Sequence, residues 1–259
     1  MKRTPWQIQQ AVVSALMLRE LKTRFGAHRL GAVWLFLEPA AHIVLLMLVF
    51  GFIRDRSLAG IEFSVFILTG LVPFFMFKSI ALRIMDGLDS NRGLFAYRHV
   101  KPMDTFIARV LLEVLLYSTV FALLSLALLW LGVNVTLVEP LEFLLIMLLL
   151  AALGLGLGLI LSVVGHALLE AKSIVRLAFM PLYFLSGIFF PLTIIPQPYR
   201  DWLLWNPLLH AIELIRGAFF VNYPVAHGIS TMYVLAVAVV LGFIGLWLYR
   251  YRRLDMVAQ

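Results

Sequence analysis

Six long apolar stretches divide this 259-residue chain, and each is long enough to cross the roughly 30 Å hydrocarbon layer of a membrane as a helix. They cover residues 32–52, 63–84, 106–131, 141–164, 174–190 and 230–249. Only helices and closed barrels satisfy the backbone hydrogen bonds in lipid. The stretches are continuous and lack the alternation of barrel strands, so they predict α-helices. The chain is therefore predicted to be an all-α polytopic membrane protein with six transmembrane helices.

Composition and charge agree with this fold class. Hydrophobic residues make up 63% of the chain and charged residues only 14%. Six basic residues precede the first stretch and ten lie at stretch ends on the same side, whereas Arg54, Arg56, Arg200 and Arg216 fall on the other side. The positive-inside rule then places both termini in the cytoplasm. The same asymmetry accounts for the net charge of +7, so we expect no nucleic-acid partner.

Residues 1–31 are predicted to form a cytoplasmic amphipathic helix at the membrane interface. Thr4, Pro5 and Gln7 have the spacing of a capping box with proline at the first helical position. One face of the helix carries the apolar side chains Val13, Leu16, Met17 and Leu21. Such a helix is typical of a segment that lies on the membrane surface.

The cytoplasmic connection 86–105 mixes apolar, aromatic and charged residues, and Asp104 is predicted to cap the third span. This composition fits docking to a soluble partner and fits equally a short helix on the lipid headgroups. On the opposite side, residues 191–228 carry several prolines in a largely apolar sequence. We interpret this connection as a re-entrant helical hairpin in the outer leaflet, which is tolerated where backbone lines a cavity or is buried in protein.

Two groups of side chains within the spans are candidates for a path through the membrane. Trp34, Glu38 and His42 recur every four residues and form a polar stripe, which indicates a channel wall, a subunit contact or a buried hydrogen-bonded pair. A second stripe carries aromatic rings that could stack on sugars or serve as ordinary packing. Its members are Phe179, Tyr183 and Phe190.

Enzyme chemistry finds little support in the sequence. There is no P-loop, HExxH or GxSxG motif, so no catalytic or metal-binding residue is predicted. Asp86, Gly87 and Asp89 match only the opening of the CDP-alcohol phosphotransferase signature, and Ala108 stands where its last aspartate is needed. A membrane-embedded lipid-headgroup transferase therefore remains only as an alternative. A further small-residue motif in the fourth span indicates close helix packing. It consists of Gly154, Gly156 and Gly158.

Two segments resemble the signatures of a known family. The run Arg-Glu-Leu-Lys-Thr-Arg-Phe at 19–25, with Leu30-Gly31, Trp34 and Glu38-Pro39, resembles the N-terminal signature of the ABC-2 family of exporter membrane subunits. The segment from Asn206-Pro207 through His210, Glu213 and Arg216 resembles the pattern before the last span of that family. Among its members, the chain is most similar to subunits that export capsular polysaccharide in Gram-negative bacteria, followed by O-antigen and teichoic acid exporters.

The resemblance implies a function and a set of partners. Residues 32–259 would form a permease domain in the bacterial inner membrane, acting as a homodimer with two copies of a separate ATPase that binds ATP and magnesium. This chain would bind no cofactor itself. The cargo would be a lipid-linked polysaccharide, passed to a periplasmic co-polymerase or adaptor and an outer-membrane export protein. Export of a small molecule by the same architecture is the alternative.

The resemblance also implies roles for three groups of residues. The coupling loop to the ATPase would contain Asp89, Asn91, Arg92, Leu94, Phe95, Tyr97 and Arg98. The substrate path would be lined by Trp34, Glu38, His42, Phe179, Tyr183 and Phe190. The periplasmic gate in the outer hairpin would be formed by Tyr199, Trp202, Trp205, Glu213 and Arg216.

Overall fold

The computed structural model describes residues 4–25, 31–53, 57–58, 61–88, 90, 93 and 100–257. Within these residues the chain is helical apart from connections and one hairpin of two-residue strands, β1 (Ser57–Leu58) and β2 (Ile61–Glu62). The α-helices are α1 (Pro5–Phe25), α2 (Gly31–Ile53), α3 (Phe63–Met85), α4 (Pro102–Trp130), α5 (Pro140–Ala167), α6 (Leu169–Leu185), α7 (Tyr199–Leu203), α8 (Pro207–Phe219) and α9 (Thr231–Val257). A short 3-10 helix covers Leu192–Ile194.

Each of the six apolar stretches corresponds to one helix, namely α2, α3, α4, α5, α6 and α9. Among the described residues, α3, α4, α5 and α9 are both long and apolar enough to cross a membrane. Helix α6 has 17 residues and ends at Leu185, five residues before the predicted end of its span. The early end follows from Gly187, which adopts a left-handed φ of 69°, and from Pro191 shortly after it.

The start of α4 also differs from the sequence prediction. Pro102 is the first helical residue, which leaves Asp104 at the third position inside the helix and makes the prediction of Asp104 as N-cap wrong. Its Oδ2 accepts a hydrogen bond from the backbone N–H of Lys101 at 2.9 Å. Proline is favoured at the first helical position because its fixed φ suits a helix and its missing N–H has no helical partner.

The N-terminal helix α1 begins as predicted. The backbone N–H of Gln7 donates to Thr4 Oγ1 at 3.3 Å, and the N–H of Thr4 donates to Gln7 Oε1 at 3.0 Å, which completes the capping box. The apolar face, however, packs on protein: α1 contacts α4 and α2, and Leu16 is buried. The helix is therefore attached to α4 and α2.

Helix α3 lies at the centre of the fold and is buried along most of its length against α5, α4, α8 and α2. The glycines of α5 allow close packing on two sides, which confirms the sequence interpretation. A Cβ on Gly154 or Gly158 would meet Ile80 or Ile84 of α3 at 3.1 or 2.8 Å. A Cβ on Gly156 would lie 2.7 Å from the backbone nitrogen of Gly242 in α9.

The predicted outer hairpin contains two helices, α7 and α8. Asn206 is the N-cap of α8 and accepts a hydrogen bond from the N–H of Leu208 at 3.0 Å, while Pro207 is the first helical residue. Helix α8 is buried almost throughout and contacts α5, α3 and α9. It is thus a part of the core, although it is too short to cross a membrane.

Candidate functional site

Three polar or aromatic clusters occupy different levels of the helix bundle. The first lies where α1, α3 and α4 meet, and its centre is the buried side chain of Arg109. Nη2 of Arg109 donates to Ser90 Oγ at 2.8 Å and lies 3.5 Å from Glu20 Oε2 of α1. Nη1 donates to the backbone carbonyl of Arg83, in the last turn of α3. One guanidinium therefore joins three segments of the chain.

Further polar contacts surround Arg109. Nε of Arg83 lies 2.7 Å from Glu113 Oε1, which joins α3 to α4, and Glu113 is buried. Nε2 of Gln9 donates to Asp104 Oδ1 at 2.6 Å, which joins α1 to the first turn of α4. Glu113 is buried, so loss of its cationic partner would leave a poorly solvated charge between the helices.

A more exposed ion pair connects the same region to α6. Nη2 of Arg176 lies 3.0 Å from both carboxylate oxygens of Asp86, directly after α3. The two side chains are 51% and 39% exposed. Exposed pairs of this kind contribute between about 0 and 1 kcal/mol, so the contact can open at small cost.

The predicted coupling residues follow directly after this cluster. Asp89, Asn91, Arg92, Leu94, Phe95, Tyr97 and Arg98 all lie outside the described residues. The described flanks are 86–88 on one side and 100–101 on the other, with Ser90 and Gly93 between them. Ser90, between the flanks, accepts a hydrogen bond from Arg109, and the backbone N–H of Lys101 in the second flank donates to Asp104.

The second cluster is aromatic and lies between α2, α3 and α6. The Tyr183 ring stacks on Phe75 with a centroid distance of 6.0 Å and approaches Phe74 and Phe189 at 5.2 and 5.1 Å. The exposed His42 of α2 meets Phe75 edge-on at 5.1 Å. The structure thus brings two predicted path residues, His42 and Tyr183, to the same ring of α3.

The other predicted path residues have different positions. Phe179 is buried against Phe77 of α3, with ring centroids 6.0 Å apart, and Phe190 is partly buried on the main core. The backbone of Trp34 and Glu38 belongs to α2, and their side chains lie outside the described part of the structure. The packing alternative for the aromatic stripe therefore accounts for the position of Phe179.

The third cluster surrounds Arg216 of α8, in the predicted outer hairpin. Its Nη1 and Nη2 donate to the carbonyls of Gly187 and Ile188, each at 2.8 Å, directly after α6. Asn206 Nδ2 also donates to the carbonyl of Leu185 and to Ser186 Oγ, both at 3.2 Å. Cationic and amide groups at a helix C-terminus satisfy carbonyls that have no helical partner, so α8 caps α6.

Glu213 completes this buried network. Its Oε1 lies 3.3 Å from Arg216 Nη1 and accepts hydrogen bonds from Tyr223 Oη at 3.0 Å and from the N–H of Leu192 at 3.3 Å. Burial raises the pKa of the Tyr223 hydroxyl above its ordinary value, which keeps that group protonated as a donor. Both charged side chains are fully buried, and their contacts connect α8 to the residues that follow α6.

The predicted gate residues of α7 and its C-terminal end have the opposite character. Tyr199, Trp202 and Trp205 are all exposed, Trp202 to 79%. His210 of α8 connects this helix to the residues after α7 and before α9. Its Nδ1 accepts a hydrogen bond from the N–H of Ser230 at 3.1 Å, so Nε2 carries the proton and donates to the carbonyl of Leu204 at 2.8 Å. Burial lowers the pKa of His210, against the opposing effect of the hydrogen bond that Nε2 donates to the Leu204 carbonyl.

Several contacts of these clusters could not be predicted from the sequence. Arg109 and Glu20 are 89 positions apart, and Gly70 makes room for Arg216, since a Cβ there would lie 2.9 Å from Nη2. An arginine within an apolar span is a signal for a buried partner, but one sequence does not reveal which residue it is. Among the described residues, no group of three or more acidic or histidine side chains could hold a metal ion.

Comparison with known proteins identifies relatives over the whole chain. The sequence profile of the family "ABC-2 type transporter" matches residues 11–220. The polysialic acid transport protein KpsM of Escherichia coli is 45% identical over the full length of both chains. The capsule polysaccharide export inner-membrane protein CtrC of Neisseria meningitidis serogroup A is 30% identical over 82% of this chain and 80% of that protein. The O-antigen export system permease protein RfbA of Myxococcus xanthus is 30% identical over 27% of this chain.

Proposed function

We propose that this chain, which belongs to the ABC-2 type transporter family, is the membrane subunit of an ATP-driven transporter that exports lipid-linked capsular polysaccharide across the bacterial inner membrane. The observation that carries this proposal is the 45% identity to a polysialic acid transport protein over the full length of both chains. A relative named for capsule polysaccharide export, with 30% identity over most of this chain, supports the same cargo class.

The proposed arrangement has six transmembrane helices, α2, α3, α4, α5, α6 and α9, with both termini in the cytoplasm. The distribution of basic residues supports this orientation. The outer segment with α7 and α8 is re-entrant, which the burial of α8 among α3, α5 and α9 supports. Two copies of this chain form the channel, and two copies of a separate ATPase bind ATP and magnesium.

In the proposed mechanism, the ATPase docks on the coupling loop 86–105 and its closure moves that loop. The residues that contact the ATPase are Asp89, Asn91, Arg92, Leu94, Phe95, Tyr97 and Arg98. Movement passes to α3 and α4 because Arg83 pairs with Glu113 and Arg109 contacts both the end of α3 and Ser90.

The polysaccharide then follows a path beside α2 and α6, with the aromatic cluster at His42, Phe75 and Tyr183 on its wall. Phe179 and Phe190 support this wall, and Trp34 and Glu38 extend the polar stripe of α2. At the outer end, Tyr199, Trp202 and Trp205 offer exposed rings for sugar stacking, and Glu213 with Arg216 anchors the gate. A periplasmic adaptor and an outer-membrane export protein receive the polymer.

O-antigen export is the second candidate, since an O-antigen export permease matches a quarter of the chain. A lipid-linked polysaccharide is also the cargo in that case, and the membrane subunit would work in the same way. The chemistry of the retained polymer in a strain without this chain distinguishes the two.

The test of the proposed function is the composition of the complex. The tagged chain is purified in mild detergent from its native host, and co-purifying proteins are identified and counted by mass spectrometry. We expect a P-loop ATPase in a one-to-one ratio with this chain.

Two variants test the docking site. The double variant Phe95→Ala/Arg98→Glu should insert into the membrane at the normal level but lose the ATPase. The control Arg250→Gln, which removes an exposed charge from α9, should retain the ATPase. Recovery of the unaltered chain alone, from membranes shown to contain such ATPases, would contradict the proposal.

A further inference from the structure

We infer that Arg109 is a positioning residue that makes the root of the coupling loop, defined as residues 86–88 and 90, move together with the interface helix α1 and the end of α3. The inference rests on the proposed function, because it assigns a role in transmitting the movement of the ATPase. It adds α1 to the moving parts, with Glu20 as the contact of α1.

The hydrogen-bond geometry of Arg109 supports a rigid connection. Three of its contacts reach three separate segments: the Arg83 carbonyl of α3, Ser90 Oγ of the loop root and Glu20 Oε2 of α1. Ser90 Oγ in turn donates to the carbonyl of Asp86 at 2.7 Å, so the loop root is closed on itself. A planar guanidinium can hold several acceptors at fixed angles, whereas the point charge of a lysine cannot.

Close packing also holds the Arg109 side chain in place. A Cβ on Gly87 would lie 2.8 Å from the Phe106 ring and 3.2 Å from Arg109 Nη1, so the loop root passes directly against the guanidinium. Arg109 is only 6% exposed and Glu20 has a side-chain exposure of 18%. A buried charge that loses a partner is left poorly solvated, and separation of these segments is therefore costly.

The connection of the loop root to α6 differs in kind. The Asp86–Arg176 pair is half-exposed on both sides and is screened by water and salt. A force applied at the loop therefore breaks the Asp86–Arg176 contact before it breaks the Arg109 contacts. Movement of the loop root is carried into α1, α3 and α4, while α6 can separate from it.

The first experiment compares export with ATP hydrolysis in the complete complex. Arg109→Lys and Arg109→Gln are measured beside Arg250→Gln, which removes an exposed charge at the end of α9. We expect both Arg109 variants to bind the ATPase and to hydrolyse ATP within about twofold of the unaltered complex, but to export at least about tenfold less, as the loss of a charge-assisted contact allows. Export and hydrolysis that remain in their normal ratio would overturn the inference.

A purely structural role would lower the amount of complex and not this ratio. Ser90→Ala provides a second variant, because Ser90 is exposed and its loss removes the hydrogen bond from Arg109 together with the bond from Ser90 Oγ to the Asp86 carbonyl. We expect the same direction of effect, several-fold in size. Normal export per ATP in Ser90→Ala would overturn the connection through the loop root.

The second experiment observes α1 directly. The chain has no cysteine, so Leu18→Cys places one spin label on the exposed face of α1 in each copy of the homodimer. We expect the distance between the two labels to change between the nucleotide-free and the nucleotide-trapped complex, and this change to vanish in Arg109→Gln with the ATPase still bound. An equal change in both proteins would overturn the inference and leave the proposed function intact, whereas absence of any bound ATPase would refute the proposed function itself.

Discussion

The guanidinium carbon of Arg216 in α8 lies 3.5 Å from the centroid of the Phe66 ring in α3. This cation–π contact and the hydrogen bonds to the carbonyls of Gly187 and Ile188 place one side chain between α3, α8 and the end of α6. Gly70, one turn along α3 from Phe66, leaves the space that the guanidinium occupies. The outer hairpin is therefore held by a buried charge whose partners come from three segments.

Loss of this charge should strongly destabilise the outer end of the bundle. In Arg216→Ala, Glu213 would remain buried without its cation, and removal of one partner of a buried pair costs about 3–5 kcal/mol. The cost is measured as the change in unfolding free energy in mixed micelles titrated with a denaturing detergent. The double variant Glu213→Gln/Arg216→Ala should lose less than the sum of the losses in Glu213→Gln and Arg216→Ala. Additive losses would mean that the two side chains do not stabilise each other.

Glycine substitutions should separate α9 from α5 selectively. A Cβ on Gly156 would lie 2.7 Å from the backbone nitrogen of Gly242, whereas a Cβ on Gly242 meets no atom within 4 Å. Gly156→Ala should therefore destabilise the bundle by about 1–3 kcal/mol through overpacking, and Gly242→Ala should be tolerated. Thermal unfolding of the purified chain checks both variants. Equal shifts in melting temperature would contradict the backbone contact between the two helices.

The stability of the outer hairpin should fall in mild acid because of His210. Its pKa is lowered in the folded chain by burial, so below about pH 6.5 the unfolded chain binds the proton more readily than the folded chain. The contribution of neutral His210 is thus fully present above about pH 6.5 and is lost as the pH falls through its folded pKa. Unfolding at pH 7.5 and 5.5 is compared for the unaltered chain, His210→Gln and the exposed control His227→Gln. A pH dependence that persists unchanged in His210→Gln would show that another group causes it.

Removal of the Tyr183 hydroxyl tests whether this group contacts the substrate. Its oxygen is buried and has no hydrogen-bond partner among the described residues. Tyr183→Phe should therefore be at least as stable as the unaltered chain, since a buried unsatisfied polar group costs about 1–3 kcal/mol. If the hydroxyl contacts the passing glycan, export should fall several-fold while the ATPase remains bound. Normal export in this variant would exclude a contact between the hydroxyl and the glycan.

Local patterns in the sequence predicted local structure well. The six apolar stretches, the capping box at Thr4 and Gln7 and the close packing at Gly156 all depend on residues near each other in the chain or on one helix face. The end of α6 was misplaced because the stretch stays apolar past Leu185, where a left-handed glycine ends the helix. Local hydrophobicity does not record that change of backbone direction.

The contacts that organise the candidate site could not be predicted in the same way. Arg109 with Glu20, Asp86 with Arg176 and Arg216 with Phe66 join residues 89, 90 and 150 positions apart. One sequence shows that such charges lie near or within apolar helices and need partners, but the pairing follows from the packing of whole helices. The contact between α1 and α4 could not be predicted for the same reason, since α4 begins about 80 residues after α1 ends.

The most direct test of the account is the location of polysaccharide in the native host after deletion of this chain. Cells are fractionated, and the polymer is quantified at the surface and inside the inner membrane. We predict that capsular polysaccharide accumulates inside and is lost from the surface, and that a plasmid with the unaltered chain restores it whereas Phe95→Ala/Arg98→Glu does not. Unchanged surface polysaccharide in the deletion strain would contradict the central claim.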